Sequence, residues 1–211
     1  MAPFPVTCRD YREFLDALGP AAGASHVPRQ SEKSGHCWPY VEGKGFAIPK
    51  AAWLASAPEA DRRRAFRLAD APVDWEEDWP VLGISWEDAA AYARWFSARH
   101  GLAAHLPHEE QWEKAARGAD DRFFPWGKRF DFDNANLNES QEVAKPCAVE
   151  AFPGDESPFG IRGLGGNARD CCLNDPGGEQ ARWRISRGGS WPNARPTARA
   201  TYRAGAMPRN V

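Results

Sequence analysis

Three sets of side chains in this chain have the chemistry to act on something else. The first is sulfur: Cys8, Cys37, Cys147, Cys171 and Cys172. A thiolate can attack, cycle through redox states or hold a soft metal. No CxxC or Cys/His spacing suits zinc, and no histidine or basic residue stands directly beside Cys147, Cys171 or Cys172. These three read as small buried apolar side chains. An odd cysteine count with Cys171 and Cys172 adjacent fits a disulfide framework poorly, so a reduced, cytoplasmic setting is expected. The second set is His105 and His108 with Glu109, an H-x-x-H-E string. Pro107 lies between the histidines, so the two are not expected on one helix face, and they read as a loop residue and a helix N-cap. His36 beside Cys37 is a weaker pair still. The third set is seven arginines between positions 182 and 211 with no acid among them, interleaved with Trp183, Trp191 and Tyr202. Guanidinium groups and aromatic rings together suit an anionic or planar ligand, through bidentate hydrogen bonds and stacking. The acidic stretch Asp74, Glu76, Glu77, Asp78 is the expected counterpart of those arginines that serve only the scaffold.

These residues need a scaffold, and the composition allows one. At 211 residues, 42% hydrophobic and 27% charged, the chain can bury a real core. A net charge of −2 favours neither nucleic acid nor an anionic membrane surface. No apolar run approaches a membrane span. Ten tryptophans among 19 glycines and 18 prolines point to irregular segments pinned by aromatic anchors.

Three main helices and a short fourth are predicted. Thr7 with Asp10 starts one over Cys8 to Leu18, with Tyr11, Phe14, Leu15 and Leu18 inward and Gly19-Pro20 as its stop. Prolines then punctuate residues 19 to 79, with a short helix expected at about 58 to 68. Val81 to Ile84 reads as a short strand or extended entry to a second helix, which Ser85 caps with Asp88, with Trp86, Ala89, Ala90, Ala93 and Phe96 as its apolar stripe and Gly101 as its end. The third runs from His108 to Arg117, with Trp112, Ala115 and Ala116 inward and Gly118 at its end. Strands are predicted at Phe123-Phe124, Ala148 to Phe152, Trp183 to Ile185, Ser190-Trp191 and Ala200 to Tyr202. Helices early and short strands late make an α+β domain.

Several strings stand in a fixed order: Pro80-Val81-Leu82-Gly83-Ile84-Ser85-Trp86-Glu87-Asp88-Ala89, the Leu106-Pro107 helix with Glu109, Trp112, Glu113 and Arg117, then Pro125-Trp126-Gly127, Gly160-Ile161, Gly166-Asn167 and Arg187-Gly188-Gly189-Ser190-Trp191. From about residue 5 to residue 211 this series resembles the formylglycine-generating enzyme, or sulfatase-modifying factor, family. The resemblance implies a C-type lectin-like fold with much irregular structure. It also implies further strands beyond both ends, so that residues 1–211 form one domain of a longer, bacterial-type protein.

The family's oxidases use a copper(I)-binding thiol pair. Asn193 and Ala198 stand at those places, so neither copper nor formylglycine formation is expected. Relatives that act in sulfoxide synthesis take iron-binding histidines from an additional helical domain. Family calcium sites are implied at Asn136 and the Leu137 carbonyl with Glu139 or Glu142, and at the Gly166 and Ala168 carbonyls with Asp170. Gly163 stands where the second site usually has an acidic or amide side chain, and Asp170 where it usually has Glu. Related modules are attached to kinases and effector domains, and lectin-fold relatives diversified by retroelements display variable residues in the same stretch. A non-catalytic recognition module is therefore expected. Its ligand or protein partner, anionic in character, would meet Trp191, Asn193, Arg195, Thr197, Arg199 and Tyr202. Arg187, Arg199 and Arg203 match family positions and are expected to serve the scaffold. Metal-dependent oxidoreductase chemistry is the enzymatic alternative, and a retroelement-diversified variable binding protein with Asn193 to Asn210 as its display surface is a third reading.

Overall fold

A computed structural model describes residues 1–29, 38–50, 67–68, 71–72, 74–142, 144–175 and 183–206. The chain divides into two compact units, one built on Val6–Ala104 and one of Met1–Pro5 with His105–Pro208. Among the described residues no helix is long and apolar enough to cross a membrane.

In the first unit, helix α1 (Cys8–Gly23) begins at Thr7, whose hydroxyl accepts the Asp10 N–H at 3.2 Å while the Asp10 carboxylate accepts the Thr7 N–H. Cys8, Tyr11, Phe14 and Leu15 are buried along one face. The helical pattern predicted to stop at Gly19-Pro20 breaks there and then resumes for one turn. Gly19 takes φ +77°, and Pro20 follows where its missing N–H costs nothing. Hairpins β1 (Tyr40–Val41) with β2 (Gly45–Phe46), and β3 (Arg67–Leu68) with β4 (Ala71–Pro72), are antiparallel. The helix predicted at about 58 to 68 lies outside the described residues but for its last two, which form β3.

Helix α2 (Trp86–His100) is capped by Ser85 and Asp88 reciprocally and ends at Gly101 in the left-handed conformation, as its sequence requires. Its inward stripe differs from the predicted one. Ala89 is buried, and Ala91, Tyr92 and Trp95 pack on the core in place of Trp86, Ala90, Ala93 and Phe96. The large rings decide the rotation. Tyr92 stacks on Tyr11 at 5.8 Å and Trp95 meets Phe14 at 5.6 Å. The acidic stretch is answered inside this unit, since Glu77 pairs with Arg9 and Arg12, and Glu76 with Lys50.

In the second unit, helix α3 (Glu109–Arg117) follows His108 and ends at Gly118, with Trp112 and Ala116 fully buried and Ala115 partly so. It lies against a three-stranded antiparallel sheet, β5 (Asp170–Cys171), β6 (Arg184–Arg187) and β7 (Arg203–Ala206), with Arg187 opposite both Asp170 and Arg203. Trp112, Ile161, Leu164, Cys172, Ile185 and Ala200 form the core between them. A second cluster gathers Phe124, Ala135, Leu137 and Ala198 under Trp126 and Phe130.

Of the predicted strands, only the one at Trp183 to Ile185 is found, as β6. Phe124 makes a single bridge to Gly127, and residues 148–152, 190–191 and 200–202 are turns. Their N–H groups find other partners, Ala151 to Ala148 and Tyr202 to Arg199 within turns, and Trp191 and Ala200 to the distant Asn167 and Phe123 carbonyls.

Candidate functional site

The stretch after β6 carries the expected ligand residues, and its backbone is fixed by close approaches. Gly188 has φ +84°, and a Cβ there would stand 2.7 Å from the Leu164 carbonyl oxygen. A Cβ on Gly189 would collide with the Gly165 carbonyl oxygen. Beyond them the chain turns. The Trp191 N–H donates to the Asn167 carbonyl and the Asn193 N–H to the Ser190 carbonyl. A 3-10 turn then spans Arg195–Ala198. At the two places of the oxidase thiols, Asn193 accepts from the Ser190 hydroxyl at 2.6 Å, and Ala198 is fully buried beside Phe124, Ala135 and Leu137.

Five of the seven arginines lie among the described residues, and the structure separates them by role. Arg187, 3% exposed, lies 5.2 Å over the Trp112 ring, donates to Glu113 at 2.5 Å and to the Ala200 carbonyl at 2.9 Å, and sits 3.7 Å from Glu109. Arg203 holds Glu109 with two bonds of 2.7 and 2.8 Å, and Arg117 holds Glu113. Burial raises the Glu113 carboxyl, but the Arg117 and Arg187 bonds outweigh it and hold the group below its ordinary value. Arg187 and Arg203 are scaffold residues as expected, but their counter-ions are Glu109 and Glu113 and not the 74–78 stretch. One turn of α3 separates the two acids, which places both toward β6 and β7. Arg184 reaches Asp175 at 3.4 Å.

Arg199 was expected among the scaffold arginines and also as a ligand contact. It is exposed over Phe123 and Phe124, without an ion pair among the described residues. Arg195 is likewise exposed, 4.9 Å over Phe130, while its main-chain N–H donates to Glu139. Trp191, Asn193, Thr197 and Tyr202 are half-buried, and Arg169 lies over the Tyr202 ring. The structure therefore brings Arg195 and Arg199 onto one aromatic cluster, while Tyr202 contacts Arg169.

At the first expected calcium position Asn136 is 1% exposed. Its amide N–H groups reach the Lys145 carbonyl at 2.9 Å and the Asn167 side-chain oxygen at 3.0 Å, and its own oxygen accepts from Gln141. The Leu137 carbonyl accepts the Ser140 N–H. Glu139 turns to the Arg195 amide, which leaves the exposed Glu142 as the acid free to approach. At the second, the Gly166 carbonyl accepts the Ala168 N–H and Asp170 accepts the Trp112 indole N–H at 2.7 Å. Among the described residues no three His, Cys, Asp or Glu side chains converge as a metal-binding group. His105 is exposed, and His108 is the N-cap of α3, its N–H donating to Gln111. Cys8 and Cys172 are fully buried, and burial pushes both thiols up. Cys147 and Cys171 are half-buried, so the expected burial holds only for Cys172 among the three.

Sequence reasoning missed Asp155, which lies in the turn-like string Pro153-Gly154-Asp155-Glu156-Ser157 yet is 2% exposed. Both its carboxylate oxygens accept the Gly165 N–H, at 3.0 and 2.9 Å. Burial outweighs these bonds and the nearby Asp170 adds to it, so the carboxyl is pushed up to about 8; burial takes Asp170 to about 6 against its bond from Trp112. Both values lie above the ordinary carboxylate pKa of about 3.9. Their contribution to stability is therefore complete below about pH 4 and is lost as pH rises through about 6 and then about 8. The urea midpoint is expected to fall from pH 5 to pH 9, and Asp155→Asn, though less stable throughout, should flatten that slope. A midpoint that rises over this range would contradict the burial argument.

The whole chain, residues 1–211, matches the Sulfatase-modifying factor enzyme 1-like domain. It is 28% identical to the mouse (Mus musculus) inactive C-alpha-formylglycine-generating enzyme 2, over 97% of this chain and 69% of that protein. It is 28% identical to hercynine oxygenase of Mycolicibacterium smegmatis, over 94% of this chain and 47% of that protein. To the serine/threonine-protein kinase pkn1 of Chlamydia pneumoniae it is 28% identical over 67% of this chain, but spans only 23% of the kinase. The structure of PvdO from Pseudomonas aeruginosa superposes with a TM-score of 0.67 at 17% identity, covering 99% of this chain and 75% of that one. The ordered motifs, the mixed helix-and-strand fold and the match along the full chain have one explanation: this chain belongs to the sulfatase-modifying factor family, as a formylglycine-generating-enzyme-like domain.

Proposed function

We propose that this domain recognises a ligand or partner protein and does not carry out the thiol-dependent oxidation of its family. The observation that carries the reading is at positions 193 and 198. Asn193 is engaged with Ser190, and Ala198 is sealed in the core beside Phe124 and Leu137, so the pair of soft ligands that copper(I) needs has no counterpart there. The relative named as an inactive enzyme supports this direction, and the kinase relative suggests that the domain serves as the recognition part of a larger signalling or effector protein, in the cytoplasm. A structural calcium ion belongs to the proposal, held by Asn136, the Leu137 carbonyl and Glu142, or by Asp170 with the Gly166 and Ala168 carbonyls. Calcium at the second position would keep Asp170 ionised and remove its share of the pH dependence. Equilibrium dialysis against copper(I) tests the main reading. About 0.1 tightly held copper per chain or less is the expected result for a site lacking thiolates; stoichiometric copper would sink it.

A second reading is favoured by the hercynine oxygenase relative, which extends over 94% of this chain. It is a metal-dependent oxidoreductase of the same family. Oxygen consumption on addition of iron(II) and a thiol, abolished by His105→Ala or His108→Ala, would favour it over recognition.

A further inference from the structure

We propose that Phe123, Phe130 and Phe132, lying over the buried Phe124, form with the guanidinium groups of Arg195 and Arg199 a docking surface for an extended acidic peptide whose carboxylate or phosphoryl groups the two arginines hold. The assignment rests on the recognition reading above and names its ligand.

The rings form a connected ladder. Phe132 meets Phe130 edge-on at 4.8 Å, Phe130 meets Phe124 at 5.4 Å, and Trp126 stacks on Phe124 at 5.3 Å. Arg195 lies 4.9 Å over Phe130, and Arg199 lies 5.5 Å over Phe123 and 5.9 Å over Phe124. Phe132 is 43% exposed and Phe123 51%. A single exposed phenyl ring needs no explanation. A run of rings capped by two arginines that make no ion pair among the described residues is different, because it leaves apolar area and charged donors together in water. A guanidinium laid on a ring keeps its N–H edge available, and that edge matches a carboxylate or phosphoryl group with two parallel hydrogen bonds.

The surroundings select the occupant. The small cleft lined by Asn136, Cys147, Phe152 and Asp155 does not include these rings, and the open ladder suits a chain laid across it more than an enclosed small molecule. Of the neighbouring acids, Asp120 is held by Arg122 at 2.7 and 2.8 Å, and Asp131 accepts the Asp133 N–H at 3.0 Å. Asp121 and Asp133 remain exposed beside Phe123 and Phe132, and the exposed Glu139 accepts the Arg195 main-chain N–H. A nucleic acid, charged at every step, would bring phosphates against them. A peptide can place its anions at the arginines and apolar side chains at the rings.

The test uses three fluorescent octapeptide libraries, randomised around a fixed central glutamate, phosphoserine or glutamine, and a labelled oligothymidylate. Anisotropy is expected to show the glutamate or phosphoserine library binding about tenfold tighter than glutamine, as one charge-assisted bidentate contact implies. The tighter of the two anionic libraries identifies the natural anion. Arg195→Gln with Arg199→Gln should remove that preference, and Phe132→Ser should weaken the anionic peptides severalfold, with thermal unfolding unchanged because all three sites are exposed. Equal binding of all libraries, no binding, a preference that survives both arginine substitutions, or tighter binding of the oligothymidylate would each overturn the assignment. A negative peptide result beside negative copper dialysis removes this ligand and leaves the recognition reading standing.

Discussion

Gly189→Ala is expected to destabilise the domain by about 3–5 kcal/mol, a large part of a typical total of about 5–15 kcal/mol. The added methyl would fall on the Gly165 carbonyl oxygen, 3.2 Å from the Gly165 carbonyl carbon and 3.1 Å from the Thr197 hydroxyl. Two of these are backbone atoms, so no change of rotamer relieves the overlap. Both strands of the contact are fixed from behind, Gly165 by the Asp155 carboxylate and the 190–193 turn by its own hydrogen bonds. Gly101→Ala is the control. Gly101 also has a positive φ, +63°, but open space around its Cβ position, so only the backbone preference is lost, about 1 kcal/mol. Urea unfolding of the two variants should separate by more than a factor of two in free-energy loss. Equal losses would mean that the close approach of the two glycine segments does not determine stability.

The next largest effect is expected at Arg187. Replacing it with Met keeps most of the volume but leaves Glu109 and Glu113 with one arginine each, leaves the Ala200 carbonyl without its donor, and removes the cation from the Trp112 ring. Breaking a buried ion pair on one side costs about 3–5 kcal/mol. The acids here are 17% and 32% exposed and keep Arg203 and Arg117, which lowers the expected cost to about 2–4 kcal/mol. A double-mutant cycle with Glu113→Gln measures the coupling, and the pair should lose clearly less than the two single losses added. Full additivity would show that Arg187 acts through packing alone.

Helix starts were legible wherever a side chain and a backbone N–H answer each other within one turn, as at Thr7 with Asp10 and Ser85 with Asp88. These contacts are local, so spacing alone reveals them. The inward face of α2 was not, because its alanines fit either rotation and the choice lies with Tyr92 and Trp95 against rings far away in sequence. Strands of two to four residues carry too little period to read, and Arg203-Ala-Gly-Ala206 has no β-branched residue at all. The order of family motifs made the fold legible beyond what periodicity offers.

The candidate site divides the same way. Arg195 and Arg199 could be picked out by type and by their place after the Arg187–Trp191 string. Their partners Phe123, Phe124 and Phe130 come from a loop about 70 residues earlier, and only tertiary contact joins them. Asp155 looked like turn chemistry because Pro, Gly and Ser surround it, and its burial depends on the Leu164–Gly166 backbone folding over it.

A domain with the proposed role binds its partner and releases it unaltered. The most direct measurement is mass spectrometry of a cysteine-containing sulfatase-type peptide and the acidic peptide libraries after aerobic incubation with the protein, with copper(I) and with iron(II) supplied separately. Recovery of every peptide at its starting mass, with the anionic ones retained by the wild-type protein and not by the Arg195→Gln, Arg199→Gln variant, is the expected result. Conversion of the cysteine to an aldehyde, or oxygen incorporation that depends on the protein, would contradict it.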